Sequence, residues 1–347
     1  MTESADFRSD TLTRPSPEMR AAMASAEVGD DVFGEDPTVN ILEKEAARFL
    51  GTEASLFVPS GSMANQIAVR VHCRSGDELI CEERCHVFQF EGGSPAGLSG
   101  VQVRPLRAES GFPQPGDVLE ALRADDPHFP RSRLLVIENT HNMAGGRVLG
   151  RQAMNELVAV ARRAELRVHV DGARLVNAAT AANCTVAELA AGADSVSLCF
   201  SKGLGAPVGS VIGGSAGFVA HARRARKAFG GGMRQVGILA AAAKLALDSG
   251  PDRVVEDHRR ARALGDAFAG LSEIKVRPVE SNIVMVDVGG GVAEELVSVL
   301  AADGVLALPV GSGCVRFVTH CDVDDGHVDR CIETMTHWAS NRTSLPN

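Results

Sequence analysis

Lys202 follows the apolar run SVSLCF and precedes three glycines in the segment SKGLGAPVGS. An amine at the end of a strand, with little backbone bulk ahead of it, reaches into a crevice where it can attack an aldehyde carbon and form a Schiff base. Asp171 ends a second apolar run, LRVHV, within HVDGAR. A carboxylate beside that crevice can keep a proton on a pyridine-type ring nitrogen, and the protonated ring then accepts electrons from a substrate carbon. Gly61 and Ser62 lie between the strand-like SLFVPS and the helix-like SMANQIAVRVHC. The first amides of a helix lack internal partners and suit a phosphate. His86, in CHVFQFEGG, offers a planar imidazole that can stack on a flat ring and exchange a proton near neutral pH.

Each group also has a plainer reading. Lys202 could end a strand and extend its ammonium to solvent. Asp171 and Ser62 could cap helices, and His86 could be a satisfied loop histidine. Together, an amine, a carboxylate, a phosphate turn and a stacking imidazole suit pyridoxal phosphate and chemistry at the α-carbon of an amino acid.

The elements that must position these groups follow from periodicity. DELICEE (77–83), VQVRPL (101–106), RLLVIENT (133–140), LRVHVDGA (166–173) and SVSLCFSKG (195–203) read as strands. MNELVAVARRA (154–164) reads as an amphipathic helix between two of them. This alternation predicts an α/β fold whose mostly parallel sheet is flanked by helices, with functional residues at the carboxyl ends of the strands. TVNILEKEAARFLG reads as a helix closed by Gly51. Beyond an Ala-rich helix near 236–249, a helix at 252–270 and strands EIKVRP, NIVMVDV, VLALPV and CVRFVTH suggest a smaller C-terminal α/β domain. The expected division is an N-terminal arm (1–28) packing with the small domain, a large domain (29–254) and a small domain (255–347).

At 347 residues and 45% hydrophobic content the chain can bury a full core. A net charge of -9 gives no footprint for nucleic acid. No run of 18 apolar residues suggests a membrane span and no leader is evident, so a cytoplasmic location is expected. The eight cysteines follow no recognised metal spacing; C-x3-C-H at 81–86 comes nearest, and no metal is expected. No G-x-G-x-x-G follows an early strand, which leaves a nicotinamide site without support.

Eight motifs in order resemble the threonine aldolase family, closest to its low-specificity L-threonine members, within the aspartate-aminotransferase-like superfamily of pyridoxal-phosphate enzymes. They are FRSDTLTRPSPEM (7–19), GDDVFGEDPTVNILE (29–43), VPSGSMANQIA (58–68), CHVFQFEGG (85–93), LVIENTHN (135–142), HVDGARLVNAA (169–179), FSKGLGAPVGSVIGG (200–214) and FGGGMRQVG (229–237). The resemblance implies the fold type I architecture and reversible cleavage of L-threonine or L-allo-threonine to glycine and an aldehyde. It implies Lys202 as Schiff-base lysine, Asp171 as partner of the pyridine nitrogen, His86 as the stacking residue, and Gly61 and Ser62 as phosphate ligands. Ser9, Arg174 and Arg316 resemble the residues that hold the substrate carboxylate, a task suited to rigid guanidinium forks. His128 resembles a second histidine near the β-hydroxyl, while His141 reads as structural. Arg234 resembles a residue reaching the cofactor phosphate of a neighbouring subunit, so a homo-oligomer with sites at a dimer interface, dimer or tetramer, is implied. Position 33, often tyrosine in relatives, is Phe33, and the chain contains no tyrosine. A phenylserine-type aldolase, a transaminase and a β-eliminating lyase share the same core residues.

Overall fold

The computed structural model describes residues 4–272 and 274–343. After a short strand β1 (Ala5–Asp6), the chain lays down β2 (Ala54–Val58), β3 (Glu78–Glu82), β4 (Gln102–Leu106), β5 (Ser132–Glu138), β6 (Arg167–Asp171), β7 (Ser195–Cys199) and β8 (Ser210–Gly214). These last seven form one sheet in the order β2-β8-β7-β6-β5-β3-β4. The pairings β3–β4, β3–β5, β5–β6 and β6–β7 are parallel, and β8 runs antiparallel to both its neighbours. The sheet is therefore mostly parallel, and it is flanked by helices as the alternation of elements predicts.

Local signals set the helices that feed the site. Asp36 caps the helix Pro37–Leu50 by accepting from the amide of Val39, and Gly51 closes it in the left-handed conformation. Ser60 caps the helix Gly61–His72 by accepting from Met63 N. Periodicity does not predict β8, because two of its five residues are glycine, which strands disfavour. The glycines make room for neighbours: a Cβ on Gly213 would lie 2.9 Å from Leu50 Cδ1, and one on Gly214 would lie 2.7 Å from Phe218 Cδ1.

The second sheet contains β9 (Lys275–Val276), β10 (Ile283–Asp287), β12 (Leu308–Pro309) and β13 (Cys314–Val318), in the antiparallel order β12-β13-β10-β9; β11 (Val305–Leu306) lies apart and pairs in parallel with β1. The amino-terminal arm thus returns to this region, and Phe7 packs edge-on against Phe317 in its core. The helices expected near 236–249 and 252–270 are one continuous helix, Gly237–Ala269, with Pro251 inside it. Proline forfeits one backbone hydrogen bond there. Burial at both ends outweighs that loss: Ala240, Ala243 and Leu247 pack in the core of the large sheet, and Ala261, Leu264 and Phe268 in the second core. Positions 254 and 255 fall in the middle of this helix. Among the described residues, no helix is long and apolar enough to cross a membrane. All eight cysteines are free, and Cys81 and Cys85 lie buried among Val69, Leu79 and Val87.

Three internal histidines make stability depend on pH. Burial pushes His72 down to about 3 and His169 and His258 down to about 4, against an ordinary value of about 6.5. Below pH 6.5 the unfolded chain takes up protons at these sites that the folded chain refuses, so their contribution to stability is lost as pH falls towards 4. Asp257, raised to about 6 by burial, opposes them because it gains its proton earlier in the folded state. With three groups opposed by Asp257 and by Glu43, which burial also raises, stability should fall by roughly 2 kcal/mol per pH unit between pH 6 and 5. Urea midpoints measured at pH 7, 6 and 5 check this; a midpoint independent of pH would contradict the burial of these rings.

Candidate active site

At the carboxyl ends of β2, β6 and β7 lies a cavity of about 280 Å³, lined among others by Gly61, Ser62, His86, Asp171, Ser201 and Lys202. The strand order makes this possible, because β6 and β7 are neighbours and β2 is separated from β7 only by β8. A larger concavity of about 730 Å³ opens at the amino ends of the strands and is rich in arginine. The candidate amine, carboxylate and imidazole all face the smaller one.

Ser60, not Ser62, caps the helix that opens at Gly61, with Oγ 3.2 Å from Met63 N. Helix geometry leaves the amides of Gly61 and Ser62 without internal acceptors. Residue 61 must be small, since a Cβ would lie 2.7 Å from Cys199 Sγ. Lys202 sits in the turn after β7, where its carbonyl accepts from Gly205 N at 2.8 Å and from Thr13 Oγ1 at 3.3 Å. The amino-terminal arm therefore braces the lysine turn.

Asp171 is buried at the end of β6. Its Oδ2 accepts from Asn65 Nδ2 at 2.8 Å and its Oδ1 from Ala173 N at 3.2 Å. His86 Nδ1 lies 2.8 Å from Glu91 Oε1, and its backbone amide donates to Glu138 Oε2 at 2.6 Å. Burial would lower the affinity of His86 for a proton, but the Glu91 hydrogen bond and the charges of Asp171 and Glu91 outweigh it and raise the ring above its ordinary value. With Nδ1–H donated to Glu91, the neutral ring presents a bare Nε2. His86, Glu91 and Asp171 offer ligand atoms within 4.8 Å of one another, but Asn65 and Gln66 already donate to the two carboxylates.

Arg174 is buried and holds Asp10 through two 2.7 Å bonds, from Nε and Nη2. Burial alone would raise the Asp10 carboxyl, but the Arg174 charge and hydrogen bonds bring it down to about 2. The fork expected to meet a substrate carboxylate is thus largely filled by a carboxylate of the chain itself. Arg316 donates to Asn142 Oδ1 at 2.9 Å and to the Arg8 carbonyl at 3.2 Å. Its Nε is buried without a partner among the described residues. Ser9 accepts from the amide and hydroxyl of Thr11, capping a short turn.

Of the expected residues, Ser9, Arg174, Arg316, His128 and Arg234 do not line this cavity, and the last two lie at the surface. The His128 ring is 86% exposed and bonded to Asp126 at 2.6 Å. Arg234 is also exposed and pairs with Asp30 at 2.9 Å, next to Phe33, itself 73% exposed. His141 is fully buried, with Nε2 2.9 Å from Glu82 and Nδ1 accepting from Ala144 N. Sequence reasoning does not single out Asp10, Asn65, Glu91 or Asn142. Asn65 had a local signal, since it stands three positions after Ser62 on the same face of a helix.

The residues present fit pyridoxal phosphate: the amides of a helix start, a buried carboxylate and the lysine that follows β7 all line one cavity. A β-eliminating lyase family model matches residues 6–290. The chain is 42% identical to a probable low-specificity L-threonine aldolase 2 of Arabidopsis thaliana over 96% of this chain and 97% of that one. It is also 42% identical to the low specificity L-threonine aldolase of Escherichia coli K12, over 96% and 98%. Among solved structures, a Leishmania major threonine aldolase superposes with a TM-score of 0.83 at 20% identity, covering 96% of this chain and 99% of that one, and so shares the fold. By fold, cavity and sequence, this chain belongs to the low-specificity L-threonine aldolase family of fold type I pyridoxal-phosphate enzymes.

Proposed function

We propose that this chain cleaves L-threonine or L-allo-threonine reversibly to glycine and acetaldehyde, and that Lys202, Asp171, His86 and Arg316 are its working residues. The observation that carries the reading is the convergence of Lys202, Asp171, His86 and the Gly61 helix start on one cavity.

Gly61 and Ser62 would hold the cofactor phosphate, Asp171 its ring nitrogen, and Lys202 its carbonyl carbon. Once bound, pyridoxal phosphate supplies an electron sink for the pair left on the α-carbon. The buried, unpartnered Nε of Arg316 supports a role in binding the substrate carboxylate, with Ser9 and the free edge of Arg174 beside it. That anchoring orients the bond to be broken. The bare Nε2 of His86 is suited to take the proton of the β-hydroxyl, and Glu91 stabilises the imidazolium that results. The Lys202 amine, which lines the same cavity, would be placed to return a proton to the α-carbon. The role near the β-substituent that the resemblance implies for His128 gains no support from its exposed position beside Asp126.

The division into arm 1–28, large domain 29–254 and small domain 255–347 is supported by the two separate cores and the β1–β11 pairing. A homo-oligomer with sites at a dimer interface is supported by the adjacent exposed Phe33 and Arg234, which have no task in their own chain's cavity.

The test is to supply the holoenzyme with L-threonine, L-allo-threonine and L-phenylserine and to quantify glycine and aldehyde together. Equimolar glycine and acetaldehyde are expected. Benzaldehyde alone would assign a phenylserine-type aldolase, and a keto acid with the amine form of the cofactor would assign a transaminase.

A further inference from the structure

We propose that Asn65 and His169, continued outward by Ser195 and His72, form a directed hydrogen-bond relay that holds the Asp171 carboxylate on the cofactor's ring nitrogen. This rests on the reading of Asp171 given above and adds Asn65 and His169 as positioning residues.

The direction of the relay follows from counting donors. Asn65 Nδ2 lies 2.8 Å from Glu91 Oε1 and 2.8 Å from Asp171 Oδ2. Only the amide nitrogen can face two carboxylates, so both its protons are spent and Oδ1 must accept. It accepts from His169 Nε2 at 3.0 Å and from Ser197 Oγ at 3.2 Å. His169 therefore carries its proton on Nε2. Burial keeps that ring neutral, with a value near 4, so Nδ1 is bare and takes the hydroxyl proton of Ser195 at 2.9 Å. Having spent its proton inward, Ser195 Oγ accepts from His72 Nε2 at 2.8 Å. The His72 ring stacks on Phe218, with centroids 4.9 Å apart, and lines the arginine-rich concavity at the far end of the sheet.

Every bond in this series points its donor towards Asp171. Asn65 is the junction, because the same amide also donates to Glu91, which orients His86. One side chain thus sets the carboxylate of the ring nitrogen and the carboxylate of the proposed base. The relay crosses from the helix Gly61–His72 to β6 and β7, which explains a fully buried histidine two residues before Asp171 on the same face of β6.

The experiment loads the holoenzyme with cofactor labelled with ¹⁵N at the ring nitrogen and reads its chemical shift together with steady-state kinetics. In the wild type the shift should be that of a protonated ring nitrogen. Asn65→Ala and His169→Phe should move it towards the unprotonated position and lower kcat by about 10- to 100-fold, by analogy with the loss on removing outer partners of metal ligands, with KM changed far less. His169→Gln, which retains a donor near the Nε2 position, should restore most of both. A lowered Tm with an unmoved ring-nitrogen shift would overturn the relay. Should the substituted proteins fail to fold, ¹⁵N-histidine spectra of the wild type decide: His169 must be the neutral Nε2–H tautomer at pH 7, and an Nδ1–H tautomer overturns the proposal. Asp171→Asn separates the two levels. If it shifts the ring nitrogen and the relay variants do not, the relay alone falls; if it too leaves the signal unchanged, the assignment of Asp171 falls with it.

Discussion

Lys202→Ala is expected to lower turnover of L-threonine by at least about 10³-fold, equivalent to roughly 4 kcal/mol of lost transition-state stabilisation. The amine sits in the cavity with Asp171 and the Gly61 helix start, where no other lysine lies among the described residues. A merely solvent-facing lysine would cost almost nothing, so the size of the effect separates the two readings. Borohydride reduction of the wild-type holoenzyme followed by peptide mass spectrometry should place the cofactor on the peptide containing Lys202, and the variant should carry none. Modification at another lysine would remove Lys202 from its assigned place. Folding of the variant should be nearly unaffected, because the lysine turn is held through the Lys202 carbonyl, which accepts from Gly205 N and Thr13 Oγ1, rather than by the amine.

Asp171→Asn should have the second largest effect, a loss in kcat on the order of 10²- to 10³-fold, the scale of removing one preorganised electrostatic partner. The substitution is close in shape and leaves an oxygen for Asn65 or Ala173 to donate to, so the loss reports charge more than packing. An amide cannot hold a proton on the ring nitrogen, and the electron sink weakens accordingly. Absorbance of the bound cofactor should change while substrate KM moves little. A variant with near wild-type kcat would show that the carboxylate is structural, a helix-side cap rather than a partner of the ring.

Much of the positioning frame was legible in the residues. The strand at 78–82, the helix opening at Gly61 and the carboxylate ending β6 follow from short apolar runs and turn residues. Other elements were not, β8 and the long helix Gly237–Ala269 among them. β8 is glycine-rich because Leu50, Thr52 and Phe218 press close on it, and packing of that kind leaves no periodic signal. The helix Gly237–Ala269 passes through Pro251 because separate cores bury its two halves, which local propensity does not register.

The site divides the same way. By itself the sequence determined the chemical inventory: a lysine and an aspartate at strand ends, a small-residue helix start, an imidazole after β3, and the ordered motifs that place the chain in its family. Those are encoded within a few residues, where a strand alternates and a helix repeats. Only the tertiary structure decided that Ser60 rather than Ser62 is the cap, that Asp10 fills most of the Arg174 fork, that His128 and Arg234 stand outside their own chain's cavity, and that Asn65 and His169 connect Asp171 to the far side of the sheet. The Asp10–Arg174 and Asn65–Asp171 contacts join residues more than a hundred positions apart. Strand order brings such pairs together, and strand order follows from how the whole chain buries its apolar faces rather than from any local pattern.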